Sequence, residues 1–306
     1  MPVKAVLIAG PTASGKSGVA LELACGLGGT IINADSMQVY RELRLLTARP
    51  SESEEARAPH RLYGTVPASQ SCSVGRWLDD VAHALAEAQG QGRLPILVGG
   101  TGLYFKVLTE GLAPVPDIPA ELRSYWRERA AERSREALHQ ELAARDPAMA
   151  ARLKPSDPQR IVRALEVVDA TGISLAEWQG GNAVPRLGAG DVLRLVIAPE
   201  REPLYAAIDA RFDRMIENGA IEEVRELIDL KLDPGLPAMR AHGVRELESY
   251  LSGAVNREDA VAKAKTESRR YAKRQMTWLR RFMPDWHWFP DADTAIEAAS
   301  AMLTTP

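Results

Sequence analysis

The feature that most constrains this chain is a glycine-rich loop near its start, which follows the apolar run Ala5-Val6-Leu7-Ile8-Ala9. The loop has the spacing G-x-x-x-x-G-K-S and consists of Gly10, Pro11, Thr12, Ala13, Ser14, Gly15, Lys16 and Ser17. A strand, such a loop and a following helix form a phosphate cradle, because backbone N–H groups of the loop and helix N-terminus point at the anion. Lys16 then reaches the outer phosphates and the Ser17 hydroxyl ligates Mg²⁺. The spacing predicts a bound phosphate or diphosphate, with Mg²⁺ as cofactor.

The pattern around this loop predicts the fold class. Buried strands are expected at 30–34, 94–98 and 192–197, and amphipathic helices at 15–27 and 74–89. Alternating strands and helices form a parallel sheet covered on both faces, with ligand-binding groups at the carboxyl ends of the strands. The predicted fold is therefore α/β, a P-loop NTPase-like parallel sheet core. A helical C-terminal part is expected at 204–218, 221–231, 242–251 and 256–282.

A proline-rich stretch at 113–119 marks a change in composition and predicts a stiff linker. Beyond it, one charged helix is expected at 120–144 and a second helix at 157–171, followed by a glycine-rich stretch at 172–190. We therefore predict a helical insertion domain at 119–190. The core would comprise residues 1–118 and 191–306.

Charge and cysteine content limit the classes of partner. The 306 residues carry a net charge of −3, so any basic surface must be local. Cys25 and Cys72 have neither metal-site nor disulfide spacing, which is typical of thiols in a reducing compartment. No apolar stretch reaches the length of a membrane span. A cytoplasmic protein without a membrane partner is expected.

Polar residues follow two of the predicted strands. Asp35 comes at the end of the strand at 30–34, where a carboxylate can bind Mg²⁺, act as a general base or cap the following turn. Ser36 and Gln38 follow it, and a glutamine can hydrogen-bond the edge of an adenine. The strand at 94–98 ends in Gly99-Gly100-Thr101-Gly102 and lacks the carboxylate typical of ATP hydrolysis. These features favour a bound nucleotide base and disfavour ATP turnover.

Two further sets of basic residues are candidates for anion binding. Six cations lie within thirteen residues of the last predicted helix, namely Arg269, Arg270, Lys273, Arg274, Arg280 and Arg281. Met276 and Trp278 interleave with them, and such a stripe favours binding to a nucleic-acid backbone over an ordinary solvated helix face. Arg211, on the predicted helix at 204–218, either forms a salt bridge or faces the phosphates.

Five strings, in order along the chain, resemble tRNA dimethylallyltransferases, also called tRNA isopentenyltransferases. They are residues 10–17, Asp35-Ser36-Met37-Gln38-Val39-Tyr40, Thr47-Ala48-Arg49-Pro50, Gly99-Gly100-Thr101-Gly102-Leu103-Tyr104, and Lys273-Arg274-Gln275-Met276-Thr277-Trp278-Leu279-Arg280. The resemblance implies transfer of a dimethylallyl group from dimethylallyl diphosphate to N6 of the adenosine 3′ to the anticodon in tRNA. It also implies a monomer that binds the tRNA anticodon stem-loop.

The resemblance also implies residue roles. The loop at 10–17 would hold the prenyl donor's diphosphate, Asp35 would be the general base, Thr101 would contact the reacting centre, and Arg211 would help to neutralise the diphosphate. The implied tRNA contacts are Asp35, Ser36, Met37, Gln38, Thr101, Arg123, Gln159, Arg160, Ile161, Val162, Arg163, Arg240, Lys273, Arg274, Gln275 and Arg280. The chain departs from the common pattern at Leu46, Ala207 and Val244, where many members have glycine, arginine and tyrosine.

Three alternatives remain open on the sequence. Prenylation of free AMP, ADP or ATP would share the phosphate loop, although a free nucleotide needs neither a helical insertion nor a basic final helix. A P-loop small-molecule kinase would use Asp35 to activate a hydroxyl, and would turn over ATP. An RNA-binding protein gated by nucleotide would function normally with Asp35→Ala.

Overall fold

We describe the fold from a computed structural model, which describes residues 3–181 and 183–304. Its strands are β1 (Ala5–Ala9), β2 (Gly29–Asn33), β3 (His60–Arg61), β4 (Leu94–Gly99), β5 (Val192–Ile197) and β6 (His287–Phe289). They form one parallel sheet in the order β3-β2-β4-β1-β5-β6. Because β4 lies between β1 and β2, the loops after all three strands meet at one edge of the sheet.

Fourteen α-helices accompany the sheet within the described residues. The first four are α1 (Lys16–Leu27), α2 (Glu52–Arg57), α3 (Val74–Gly90) and α4 (Gly102–Glu110). Next come α5 (Ala120–Glu132), α6 (Arg135–Arg145), α7 (Pro147–Ala150), α8 (Pro158–Thr171) and α9 (Leu175–Gly180). The last five are α10 (Arg201–Glu217), α11 (Ala220–Asp229), α12 (Val244–Leu251), α13 (Arg257–Phe282) and α14 (Ala292–Thr304).

Both faces of the sheet are buried, as the near-continuous apolar strands predict. In β1, Val6 and Ile8 pack in a cluster with α1 and α14, whereas Leu7 packs in a cluster with α3, α4 and α13. Alternate residues of a strand point to opposite faces, so β1 contributes to both clusters, as do β2, β4 and β5. The predicted α/β parallel-sheet core with a helical C-terminal part is confirmed.

The C-terminal helices form a further apolar cluster with the segment that follows β2. Val39, Tyr40 and Leu43 from that segment pack with Phe212 of α10 and Leu247 of α12. The Glu223 carboxylate of α11 accepts hydrogen bonds from the backbone N–H groups of Arg44 and Leu45 at 2.7 Å and of Leu46 at 3.0 Å. The helices therefore hold this irregular segment in place.

The chain divides into two compact units, Met1–Thr109 with Arg186–Pro306, and Glu110–Pro185. The smaller unit has its own core around Trp126, Leu142 and Leu165, each 0% exposed. Its limits differ from the predicted 119–190 at both ends. Ile118 packs into the core of the smaller unit, whereas Leu187 donates its N–H to the Leu108 carbonyl in the larger one at 3.1 Å.

The structure differs from the sequence predictions inside the smaller unit. The prediction of a single helix at 120–144 is wrong, because the helix is interrupted between α5 and α6. Ser134 there has extended dihedral angles and accepts the Ala137 N–H as the N-cap of α6. The glycine-rich stretch also contains α9, which Ser174 caps. No helix that the structure describes is both long and apolar enough to cross a bilayer.

Candidate active site

The phosphate loop runs from the end of β1 to the N-terminus of α1. It turns through left-handed backbone conformations at Ala13, with φ 62°, and at Gly15, with φ 87°. Gly10 permits a close approach to β5, since a Cβ at this position would lie 2.7 Å from the Ile197 carbonyl oxygen. The Lys16 ammonium folds back over the loop and donates to the Pro11 carbonyl at 3.1 Å. The loop therefore has the shape of an anion cradle.

Two partly buried cations lie at this loop. Burial lowers the pKa of Lys16 to about 8, an effect that the negative charge of Asp35 partly offsets. Burial likewise lowers the pKa of Arg211 on α10 to about 10, again offset in part by Asp35. The Arg211 guanidinium donates to the Thr12 hydroxyl. Two desolvated cations near one carboxylate leave an excess of positive charge, which suits an anionic ligand.

Asp35 is held in place by the end of β2. The fully buried Asn33 accepts the Asp35 N–H at 2.8 Å and donates to the Asp35 carbonyl at 2.9 Å. The Asp35 Oδ1 atom accepts the Met37 N–H at 2.9 Å. Within the described residues Oδ2 has no hydrogen bond, and it would lie 3.1 Å from a Cβ at Gly100. This oxygen is available to a ligand.

The turn after β4 lies against the residues that follow Asp35. Thr101 Oγ1 accepts the Ser36 N–H at 2.9 Å and donates to Ser36 Oγ at 3.2 Å. A Cβ at Gly99 would lie 2.0 Å from the Ala34 carbonyl oxygen, so only glycine allows the two strand ends to approach this closely. The glycines predicted as a ligand-approach element therefore serve first to bring Thr101 beside Asp35.

A cavity of about 610 Å³, counted with its open mouth, lies beside Asp35 and the phosphate loop. Thr12, Asp35 and Arg211 line its polar part. The apolar side chains that line it are Met37, Leu46, Ile208, Phe212, Met215 and Ala241. The cavity therefore offers an anion site, a free carboxylate oxygen and an apolar wall to one ligand.

His242 and Tyr271 also line the cavity, and neither was predicted from the sequence as a site residue. Their ring centroids are 4.4 Å apart, and burial lowers the pKa of His242 and raises that of Tyr271. Tyr271 precedes Gln275 by four residues on α13, so both lie on the same face of this helix. That spacing was the signal in the sequence, although its inward direction required the fold.

Two predicted tRNA contacts have their amide groups engaged inside the protein. Gln38 donates Nε2 to the carbonyls of Thr47 and Ala48, both at 2.9 Å. Gln275 is 6% exposed, accepts the Thr12 N–H at 2.9 Å and donates to the Gly100 carbonyl at 2.9 Å. Both ends of the Gln275 amide therefore bind backbone groups of the core, and its contact with tRNA stays a prediction.

The model of the IPP transferase family matches residues 38–282, and the model of the isopentenyl transferase family matches residues 3–68. The chain belongs to the IPP transferase family. A tRNA dimethylallyltransferase of Nitrobacter hamburgensis is 55% identical over 300 residues, which cover 98% of this chain and 93% of that protein. A tRNA dimethylallyltransferase of Rhodopseudomonas palustris is 54% identical over 301 residues, covering 98% and 92%.

Solved structures agree with this family assignment. The full-length tRNA isopentenylpyrophosphate transferase of Bacillus halodurans superposes with a TM-score of 0.70 at 34% identity, covering 97% of this chain and 94% of that one. A eukaryotic dimethylallyltransferase acting on tRNA superposes with a TM-score of 0.80 at 27% identity, covering 94% and 73%. The resemblance stated from the sequence strings is confirmed.

In this IPP transferase the basic stripe of α13 divides into paired and unpaired cations. Arg269 binds Asp209 and Arg270 binds Glu267, each with an N–O distance of 2.6 Å. Four other cations of the stripe, Lys273, Arg274, Arg280 and Arg281, are exposed and have no ion pair with a described residue. Arg240 is exposed as well. These cations are available to an external polyanion.

The smaller unit carries the other predicted tRNA contacts. Gln159, Arg160 and Arg163 are exposed at the start of α8, Val162 is half-buried, and Ile161 is 0% exposed. Helical periodicity turns the Ile161 side chain into the core of this unit, and its contact with tRNA stays a prediction. Arg123 is half-buried, and its buried Nε has no hydrogen-bond partner among the residues that the structure describes.

A divalent cation would find one protein ligand at the phosphate loop. Ser17 is exposed in the first turn of α1, as the loop motif requires. No group of three or more His, Cys, Asp or Glu side chains in the described residues could hold a metal. Mg²⁺ keeps several waters and takes phosphate oxygens as ligands, so one hydroxyl beside a diphosphate fits it.

Proposed function

We propose that the chain transfers a dimethylallyl group from dimethylallyl diphosphate to N6 of the adenosine 3′ to the anticodon in tRNA, with release of diphosphate. The observation that carries the proposal is the shared cavity, where the free oxygen of Asp35 and the Arg211–Thr12 pair of the anion cradle meet one apolar wall. The family and the names of the relatives, tRNA dimethylallyltransferases, support the same reaction.

The cradle binds the donor and receives the leaving group. Loop N–H groups, Lys16 and Arg211 would hold the diphosphate, while the cavity's apolar side chains Leu46, Phe212 and Met215 would surround the five-carbon chain. Negative charge grows on the diphosphate as the allylic C–O bond breaks. Fixed cations in a desolvated site stabilise that charge more strongly than water does.

Asp35 deprotonates the acceptor. The N6 amine of adenine is a weak nucleophile because its lone pair is delocalised into the ring. As the new C–N bond forms and the C–O bond breaks, the amine proton passes to Asp35 Oδ2, which accepts no other hydrogen bond within the described residues. Thr101, bonded to Ser36, fixes the neighbouring strand ends. General-base catalysis of this kind contributes about 10²- to 10⁴-fold.

We assign the divalent cation as Mg²⁺, with Ser17 as its protein ligand. When bound it would neutralise diphosphate charge and so help the leaving group. Lys16 and Ser17 are adjacent in the first turn of α1, so the charge and the ligand would meet the diphosphate from the same side.

The tRNA would meet exposed cations of both units. An adenosine inside a folded anticodon loop must leave its stack to reach the cavity, at a cost of a few kcal/mol. Phosphate contacts by Lys273, Arg274 and Arg280 on α13 would help to offset that cost. In the smaller unit, Arg160 and Arg163 on α8 present further positive charge. The monomeric state and the cytoplasmic location stay predictions.

Incubation with radiolabelled dimethylallyl diphosphate, Mg²⁺ and unmodified bulk tRNA tests the proposal, beside AMP and ATP as acceptors. We expect label in tRNA alone, and none with Asp35→Ala. Label in AMP or ATP would instead assign free-nucleotide prenylation. No label in any acceptor, together with turnover of ATP, would assign a kinase, whereas RNA binding and normal function with Asp35→Ala would assign a nucleotide-gated RNA-binding protein.

A further inference from the structure

Gln275 lies where α13 meets both ligand-binding turns of the core. Its side chain is 6% exposed, whereas its neighbours Lys273 and Arg274 are exposed. Glutamine is mostly an exposed residue, and a buried amide is costly unless both its ends are hydrogen-bonded. The helix therefore turns cations outward and turns inward one amide that is hydrogen-bonded at both its oxygen and its nitrogen.

The two hydrogen bonds of Gln275 join the ends of neighbouring strands. Its Oε1 accepts the N–H of Thr12, in the loop after β1, and its Nε2 donates to the carbonyl of Gly100, in the turn after β4, each at 2.9 Å. The last pair in register between these strands is Ala9 with Gly99. Beyond that pair the two segments are no longer paired as strands, and the Gln275 amide bridges them.

The glycine at position 100 is required by this arrangement. A Cβ at Gly100 would lie 2.2 Å from Gln275 Nε2 and 3.1 Å from Asp35 Oδ2. The amide and the free carboxylate oxygen thus approach the same glycine. Two residues along, a Cβ at Gly102 would lie 2.1 Å from the Trp278 ring, so α13 presses on this turn at two successive points.

Thr12 is held from both sides as a result. Gln275 binds its N–H, and Arg211 binds its hydroxyl. The N–H of Thr12 is therefore unavailable to a phosphate, and its task in the loop is to fix the loop's position. Any change at Gln275 would alter the placing of the anion cradle relative to the turn that carries Thr101.

We propose that Gln275 is a positioning residue that sets the spacing between the donor's diphosphate and the Asp35–Thr101 pair. The inference rests on the proposed function and departs from the tRNA contact that the sequence implied for this residue. Gln275 acts through the backbone of Thr12 and Gly100. A misplacement of reacting groups by about 1 Å can cost about 10²-fold in rate, so a single amide can have a large effect here.

Two variants and a matched control test this role. Gln275→Leu removes both hydrogen bonds, whereas Gln275→Glu keeps the acceptor for Thr12 and loses the donor for Gly100. Gln89→Leu replaces an exposed glutamine at the end of α3 and serves as the control. For each protein we would measure kcat, KM for tRNA, KM for dimethylallyl diphosphate, and Kd for inorganic diphosphate with Mg²⁺ by calorimetry, after circular dichroism confirms folding.

We expect Gln275→Leu to lower kcat by about 10- to 100-fold and to raise the diphosphate Kd by about tenfold, with KM for tRNA within about twofold of wild type. Gln275→Glu should lower kcat in the same direction with a smaller change in Kd, and Gln89→Leu should match wild type. Should Gln275→Leu fail to fold, Gln275→Glu still decides the question.

A rise of tenfold or more in KM for tRNA, with kcat and diphosphate Kd unchanged, would overturn the proposal and return Gln275 to the tRNA surface. The calorimetry requires no tRNA. Wild-type protein that binds diphosphate without prenylating tRNA would therefore refute the proposed function alone. The diphosphate Kd of the variants would still decide whether Gln275 positions the loop.

Discussion

The pKa values of buried cations in the larger unit are shifted in the opposite direction to that of a paired arginine in the smaller unit. In the larger unit, burial lowers the pKa of both Lys16 and Arg211, and Asp35 offsets this only in part. In the smaller unit, a hydrogen bond to Glu141 raises the pKa of Arg129 and lowers that of the glutamate itself. The first pair of cations lacks sufficient negative charge, whereas Arg129 already has its partner.

In the smaller unit, three arginines share one glutamate. Glu141, with an 11% exposed side chain, is an ion-pair partner of Arg129, Arg133 and Arg145, with N–O distances of 3.0, 3.1 and 3.5 Å. Trp126 donates its indole N–H to Asp169 at 3.1 Å. Charges arranged in this way stabilise a small helical unit. Buried cations with too little negative charge beside them therefore indicate a ligand site better than the number of arginines does.

The largest effect on activity is expected for a substitution at Asp35, in the larger unit. Asp35→Asn keeps the size and the contact with the Met37 N–H but removes the proton acceptor. We expect kcat to fall by about 10²- to 10⁴-fold with little change in donor affinity, because the anion cradle stays intact. Single-turnover transfer of labelled dimethylallyl to tRNA would measure it. A kcat within threefold of wild type would exclude Asp35 as the base.

A smaller effect concerns the pH dependence of donor binding. With its pKa lowered to about 8, Lys16 is charged below that pH and loses its proton above it. The diphosphate needs the charged form, so we expect the donor's Kd to rise above pH 8, approaching tenfold per pH unit. Titration calorimetry between pH 6.5 and 9.5 would measure this.

Lys16→Arg serves as the control for that titration, because arginine keeps its charge throughout this range. Its Kd for the donor should be higher at neutral pH, since a guanidinium has a different shape from an ammonium. That Kd should not change with pH up to 9.5. A wild-type Kd that is equally flat would show that Lys16 does not titrate in the free protein.

The smallest effect is expected in the smaller unit. Arg160 and Arg163 are exposed, and each has one acidic partner, Asp157 or Glu166, at 3.4 or 3.5 Å. We expect each alanine variant to raise KM for tRNA by about two- to fivefold. Each should also reduce the salt dependence of tRNA binding by about one unit of slope, with donor affinity unchanged.

Arg152→Ala, at another exposed position of the same unit, is the matched control and should leave KM for tRNA unchanged. Filter binding of tRNA from 50 to 200 mM salt would give the slopes. A change in donor Kd for either variant would contradict the distinction between the two units' charges.

The sequence predicted the sheet and the phosphate loop because both depend on local order. Apolar runs of strand length and the G-x-x-x-x-G-K-S spacing determine their own conformations. The strands β3 and β6, of two and three residues, were not predicted. They are too short to show a periodicity of their own and form by pairing with longer strands. The prediction merged α5 and α6 because the capping role of Ser134 outweighed a continuous charged pattern.

The site was predicted in part for the same reason. Asp35 and Thr101 follow strands that the sequence reveals, so their proximity follows from parallel pairing. The inward-facing positions of Gln275 and Ile161 could not be predicted, since the sequence strings do not show which side of a helix faces the protein. His242 and Tyr271 joined the cavity only through the packing of α13 beside the loop that follows α11.

The α/β class, the anion cradle and the membership of a tRNA-prenylating family can be read from short-range spacing along the chain. Three-dimensional packing is needed to know which cations are desolvated, which glutamines bind backbone groups, and which apolar side chains lie near Asp35. Those properties depend on burial and on contacts between residues far apart in the chain, such as Gln275 and Thr12, which are 263 positions apart.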